Sequence, residues 1–220
     1  LSDSDGEFDE TVPFALRPIA GDSNLPLSFA QQRLWFLNQL EPDSPVYNQF
    51  KALRLRGRLN REALQKALDT IVERHEVLRT TFLKVDDKPA QAIHEPGKVE
   101  LTAIELMGIP DEPREKELGR FLTDFTRRPF DLEKDWPLRA TLIRLAGEEH
   151  VLLIVTHHIA SDGWSNNILF RELSALYGAF CQGSDSPLED LPIQYADYAV
   201  WQREWLQGEV LQQQLGYWKK

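Results

Sequence analysis

Two adjacent histidines, His157 and His158, close an apolar run and open onto the turn Ile159-Ala160-Ser161-Asp162-Gly163-Trp164-Ser165. The chain holds five histidines in 220 residues, so this pair concentrates side chains that titrate near neutrality and can move a proton. The run from Val151 to Val155 reads as a buried strand, and the stretch after Ser165 reads as a helix capped by Ser165. The pair therefore lies where a strand gives way to a loop, a place where a rigid scaffold can hold reactive groups. Alternation along the strand sends the two rings to opposite faces. One can face a given cavity, and the other belongs to the framework.

Other chemistries compete for the same turn. A zinc site built on His158 and Asp162 lacks the third protein ligand that catalytic zinc requires, because no other His/Cys cluster exists. Ser161 and Ser165 are not set in a G-x-S-x-G elbow. Cys181 falls within the expected helix and reads as core or helix surface. On pattern alone, a pair of satisfied structural histidines weighs nearly equally against a general base. The flanking residues tip the balance. Asp162-Gly163 is a turn pair, and glycine lets a ligand approach the backbone closely. A buried Asp162 carboxylate needs a cationic partner. Arg33 and Arg79, both set among apolar neighbours, are candidates; each reads equally well as a surface cation with its stem on apolar side chains.

The elements that must position this turn are legible from periodicity and punctuation. Residues 1–24 are acidic and rich in Ser, Asp and Gly, and read as a linker or lead-in. Ser28 with Gln31 forms a capping box ahead of a helix to Leu40, and Asn60 caps a second helix with the stripe Leu64, Ala67, Leu68, Ile71 and Val72. Between them lies an extended segment, about 49–59. Hairpins are expected around Asp86-Asp87-Lys88-Pro89 and around Ala146-Gly147-Glu148-Glu149, with a further strand at 99–106 and a third helix ending before Pro129. Two helices rich in Trp and Tyr close the chain. No regular βαβ repeat runs through it, so the fold class is α/β (α+β) with a mostly antiparallel sheet flanked by helices.

Composition narrows the partners. Hydrophobic residues make up 42% and charged residues 27%, the balance of a soluble globular protein. A net charge of −10 argues against nucleic acid, which calls for a basic stripe. One cysteine excludes an intramolecular disulfide and suits a reducing, cytoplasmic setting. The acidic start does not read as a leader, and no apolar stretch approaches the ~20 residues of a membrane span.

The turn resembles the HHxxxDG signature of the condensation domains of nonribosomal peptide synthetases, which belong with the chloramphenicol-acetyltransferase-like acyltransferases. Three further stretches occur in that family's order. Leu27 to Leu37 is similar to its S-x-A-Q-x-R-L-W motif, Arg74 to Phe82 to its R-H-E-x-L-R-T-x-F motif, and Tyr195 to Gln202 to its Y-x-D-Y-A-x-W motif. The resemblance implies two similar lobes meeting at a channel, of which residues 25–220 would be the N-terminal lobe, with the C-terminal lobe absent because the chain stops after the fourth motif. It implies peptide-bond formation between thioesters on the phosphopantetheine arms of donor and acceptor peptidyl carrier proteins, in secondary-metabolite or antibiotic biosynthesis. A neighbouring adenylation domain would be a further partner; no cofactor is bound directly and no metal is needed. It also implies the roles: His158 as the active-site imidazole, the Gly163 backbone N–H as an oxyanion donor, and His157, Asp162, Arg79, Arg33 and Trp164 as structural support. Asp-Gly-Trp-Ser favours an L-configured donor. Epimerisation relatives usually differ after the glycine, and docking or recruitment modules on the same fold tend to lose the second histidine.

Overall fold

The computed structural model describes residues 16–19 and 23–219. Most of the expected lead-in thus lies outside the described residues, although Ile19 donates its N–H to Asp197 Oδ1 at 2.9 Å. Strand β1 (Ser23–Pro26) begins two residues before the expected domain start at Leu25. It is followed by α1 (Phe29–Leu40), β2 (Asn48–Arg56) and α2 (Arg61–Arg74). After a short 3-10 turn at Glu76–Arg79 come β3 (Thr80–Val85), β4 (Lys88–Ile93), β5 (Leu101–Glu105) and α3 (Asp111–Arg127). The remainder is β6 (Leu138–Ala146), β7 (Glu149–His157), α4 (Gly163–Cys181), α5 (Tyr195–Trp205) and α6 (Gly208–Trp218).

The strands form two sheets, one ordered β1-β4-β3 and one ordered β2-β7-β6-β5. All pairings are antiparallel except β5 with β6, as the mostly antiparallel reading expects. The predicted caps of the first two helices form. Ser28 Oγ accepts from Gln31 N–H at 3.1 Å while Gln31 Oε1 accepts from Ser28 N–H at 3.0 Å, and Asn60 Oδ1 accepts from Ala63 N–H at 3.1 Å. The β3–β4 hairpin turns at Asp86 (φ 49°) and Asp87 (φ 61°), the positive-φ pair that matches strand twist and that Asp tolerates.

Strand β7 is central in its sheet and covered on both faces, which explains its unbroken apolar run. Leu152 and Ile154 pack with the α2 stripe and with Leu169, Leu173 and Leu176 of α4. Leu153 and Val155 pack on the other side with Leu34 and Trp35 of α1, Phe82 and Phe130. Farther along that side, α3 covers Ile143, Leu145 and Val151 through Leu118. This parity decides which histidine meets solvent.

Candidate functional site

His157 continues the odd-numbered face and is buried. Its ring stands edge-on to Phe130, centroids 5.9 Å apart, and tilted to Tyr47 at 6.2 Å. Nδ1 accepts the Ile159 N–H at 3.1 Å. Burial, then the neighbouring His158 and Arg139, push its pKa down to about 4, so it is neutral at pH 7. A neutral imidazole among aromatic rings, spending its lone pair on the turn it supports, is a framework group.

His158 lies one residue past the end of β7 and faces the other way, into a cleft of about 340 Å³. Its N–H is tied to Tyr47 O at 2.8 Å, extending the β2–β7 ladder into the turn. The ring Nδ1 lies 2.6 Å from Ser161 O. A carbonyl can only accept, so Nδ1 carries the proton. The neutral ring then presents Nε2 with a free lone pair, the form a proton acceptor needs. Apolar side chains including Leu34, Val77, Ile159 and Leu169 line the cleft together with Arg33, His75 and Tyr195. The ring is thus exposed to a pocket of mixed character, the usual form of a small-molecule site.

Asp162 is not bound to an arginine among the described residues. It is the N-cap of α4: its Oδ1 accepts from Ser165 N–H and Ser165 Oγ–H, each at 2.7 Å. Those two bonds hold its carboxyl below the usual carboxylate range, and the helix dipole favours the resulting charge. Asp162, rather than Ser165, therefore caps the helix. Exposure removes the need for a cation, since a solvated carboxylate carries no burial penalty. Arg79 is buried elsewhere, 3.3 Å from Glu76 Oε1 and donating to the His94 carbonyl. Arg33 is exposed and lines the same cleft as His158 and Asp162 without an ion pair among the described residues. Trp164 is 78% exposed, too open to brace the turn.

Gly163 is the first residue of α4, with ordinary φ, and a Cβ placed on it would meet nothing within 4 Å. Neither strain nor packing in this structure calls for glycine there. Its N–H belongs to the first helical turn, whose donors have no intrahelical acceptor, so it is available to an oxygen arriving beside the turn.

Sequence reasoning passed over several residues that shape the site. Gln49, opposite Thr156 in the β2–β7 register, reaches His158, Ser161 and Asn166 with one amide. Glu172 of α4 is buried and takes His75 Nε2 at 2.6 Å and Arg74 Nε at 3.3 Å. This explains the Arg-His of the second motif: it pins α4 to the end of α2. The fourth motif also fastens elements. Asp197 Oδ2 accepts from Gln194 N–H at 2.7 Å, Gln194 Nε2 donates to Arg74 O at 3.0 Å, and Tyr195 OH meets Ser28 Oγ at 3.0 Å. Among the described residues no group of three or more His, Cys, Asp or Glu side chains is placed to hold a metal ion. No helix there is long and apolar enough to cross a membrane.

Comparison with known proteins identifies the family. A family model for condensation domains matches residues 22–220, and the chain belongs to that family, the condensation domains of nonribosomal peptide synthetases. It is 49% identical over 205 residues to a linear gramicidin synthase of Brevibacillus parabrevis, covering 93% of this chain and 3% of that one. It is 46% identical over 211 residues to malpinin synthetase of Mortierella alpina, covering 96% and 3%. Among solved structures, the X-domain from teicoplanin biosynthesis, in complex with OxyB, superposes with a TM-score of 0.83 at 36% identity, over 93% of this chain and 44% of the other. The starter condensation domain of rhizomide synthetase shares the fold, with a TM-score of 0.79 at 22% identity over 89% and 47%. The chain thus spans less than half of each solved domain and a few per cent of the synthetases.

Proposed function

We propose that this lobe carries the proton-handling half of a site that joins two carrier-bound acyl groups, with an L-configured donor. The observation that supports this most is His158, a cleft-lining residue whose Nδ1 is held by Ser161 O while Nε2 has no hydrogen-bond partner among the described residues. The acceptor's α-amino nitrogen attacks the donor thioester carbonyl, the C–N bond forms, and the C–S bond breaks. The amine proton passes to His158 Nε2 and then to the departing phosphopantetheine thiolate. An α-amino group with a pKa of ~7.7–8 is already partly free base at neutral pH. His158 therefore need not be a strong base; it orients the amine and accepts its proton as the tetrahedral intermediate collapses. The Gly163 N–H donates to the developing oxyanion. Positioning of two tethered substrates supplies a further share, roughly 7–11 kcal/mol in well-organised systems.

Positioning of that kind needs a second wall. The partners in this reading are the donor and acceptor peptidyl carrier proteins, a C-terminal lobe completing the channel, and an adjoining adenylation domain. The isolated 220-residue lobe should give no product above background with loaded carriers. In a two-lobed protein containing it, His158→Ala should lower carrier-bound dipeptide formation by roughly 10²–10⁴-fold, read by mass spectrometry. Turnover within a few-fold of the parent would remove His158 from its role.

A second reading, a recruitment module, is favoured by the likeness to the X-domain solved in complex with OxyB. The two part on one assay. A recruitment module would give no dipeptide as a two-lobed protein, whichever carriers were supplied.

A further inference from the structure

Nδ1 of His158 has two neighbours with opposite demands. Ser161 O at 2.6 Å requires a proton on Nδ1, whereas Gln49 Nε2 at 3.2 Å would donate to a lone pair there. In free neutral histidine the proton prefers Nε2, so the tautomer that leaves Nε2 open must be imposed by the surroundings. Ser161 O imposes it only if the turn is held still; Tyr47 O holds the His158 N–H, and Gln49 ties down the Ser161 end from β2. Its Oε1 accepts from Ser161 Oγ–H at 3.2 Å and from Asn166 Nδ2–H at 2.9 Å. One amide thereby joins β2, the turn and the first coil of α4. Ser161 Oγ is also 2.7 Å from Thr156 Oγ1, so the tie reaches β7 itself. The Ser161 side chain is buried, where a hydrogen bond is stronger and its loss less readily replaced by water.

Resting on the reading of His158 as the working imidazole, we propose that Gln49 is a positioning residue. By holding Ser161 and Asn166 it keeps the Ser161 carbonyl on Nδ1, and so keeps Nε2 unprotonated toward the cleft. Gln49 touches no reacting atom in this scheme; its own contact with Nδ1 favours the opposite tautomer, so a rise in Nε2–H on its removal reports the route through Ser161.

The test reads the tautomer directly, in the 220-residue chain labelled with ¹⁵N-histidine, the His158 signals being assigned by their loss in His158→Ala. Two-bond and three-bond ¹H–¹⁵N correlations should show the parent ring mainly as Nδ1–H. In Gln49→Ala the Nε2–H to Nδ1–H ratio should rise about fivefold, the bias carried by a typical hydrogen bond. Gln49→Glu, which keeps the acceptor for Ser161 and Asn166 and puts an acceptor oxygen in place of the amide donor 3.2 Å from Nδ1, should hold the ring at least as fully Nδ1–H as the parent. The His157 signals report whether the fold is intact. Should Gln49→Ala fail to fold, Asn166→Ala, which frees the other side of the same amide, should shift the ratio in the same direction. An unchanged tautomer in either folded variant overturns the proposal, as does a Gln49→Glu that behaves like Gln49→Ala. In a two-lobed domain Gln49→Ala should lower kcat and leave KM for the carriers unchanged. A domain that proved unable to condense would defeat the proposed function, while the tautomer result would still stand or fall on its own.

Discussion

His157 and His158 share a peptide bond and occupy different media. One is enclosed by Phe130 and Tyr47 on the α1 and α3 side of the sheet; the other opens into the cleft on the α2 and α4 side. Each uses Nδ1 to stabilise the turn, but in opposite senses: His157 accepts from Ile159 N–H, and His158 donates to Ser161 O. The same side chain is thus set as a Nε2–H framework group in one place and as an open Nε2 base in the next. Residue type does not assign the role. Strand parity and the partner at Nδ1 do.

The sharpest way to break this comparison is to truncate both rings in turn and measure stability. His157→Ala should cost roughly 2–4 kcal/mol, from the cavity among aromatic rings and the Ile159 N–H left unpaired. His158→Ala should lower the unfolding free energy by only about 1 kcal/mol, the net worth of its Nδ1 bond to Ser161 O. Equal losses in the two variants would mean that the faces are not distinct.

Acid should expose the same difference. His157 has a folded pKa of about 4 against 6.5 unfolded, so between those values the unfolded chain binds the extra proton. Stability then rises with pH across this window: the contribution is complete above pH 6.5 and is lost as pH falls toward 4. The shift corresponds to about 3 kcal/mol at the acid limit. Replacing His157 with Gln should flatten the stability–pH curve in that window, apart from a smaller slope from His150, whose pKa burial also lowers. A slope that survives intact would place the titrating group elsewhere.

Asp162→Ala tests the turn between the two rings. As a helix cap it is worth about 0.5–2 kcal/mol, well below the ~3–5 kcal/mol expected had it been half of a buried ion pair. A loss in the upper range on thermal or urea unfolding would restore an arginine partner. Gly163→Ala should carry no cost to stability. The open space around its Cβ position predicts unchanged or slightly raised stability, by at most ~1 kcal/mol from helix propensity. A clear destabilisation would show that the fold, rather than an arriving ligand, reserves that space.

Much of this was readable in the chain. The Ser28–Gln31 box, the Asn60 cap, the α2 stripe and the 151–155 run are local patterns, and a local pattern needs only backbone periodicity and nearby hydrogen bonds to be decided. Opposite faces for His157 and His158 follow from the same rule. The partners of charged groups did not follow, because an ion pair depends on distances between segments far apart in sequence. Asp162 looked in need of a cation only while its burial was assumed, and Arg79 went to Glu76 and the His94 carbonyl instead. Gln49 was invisible for a related reason: nothing local marks it, and its place beside His158 rests on a β2–β7 register spanning about a hundred residues of chain. The sequence by itself determined most of the elements, the Ser28 and Asn60 caps and the family motifs. Tertiary structure alone decided which ring was enclosed in aromatic side chains and which nitrogen was left free, since both depend on what the sheet brings to either face of β7.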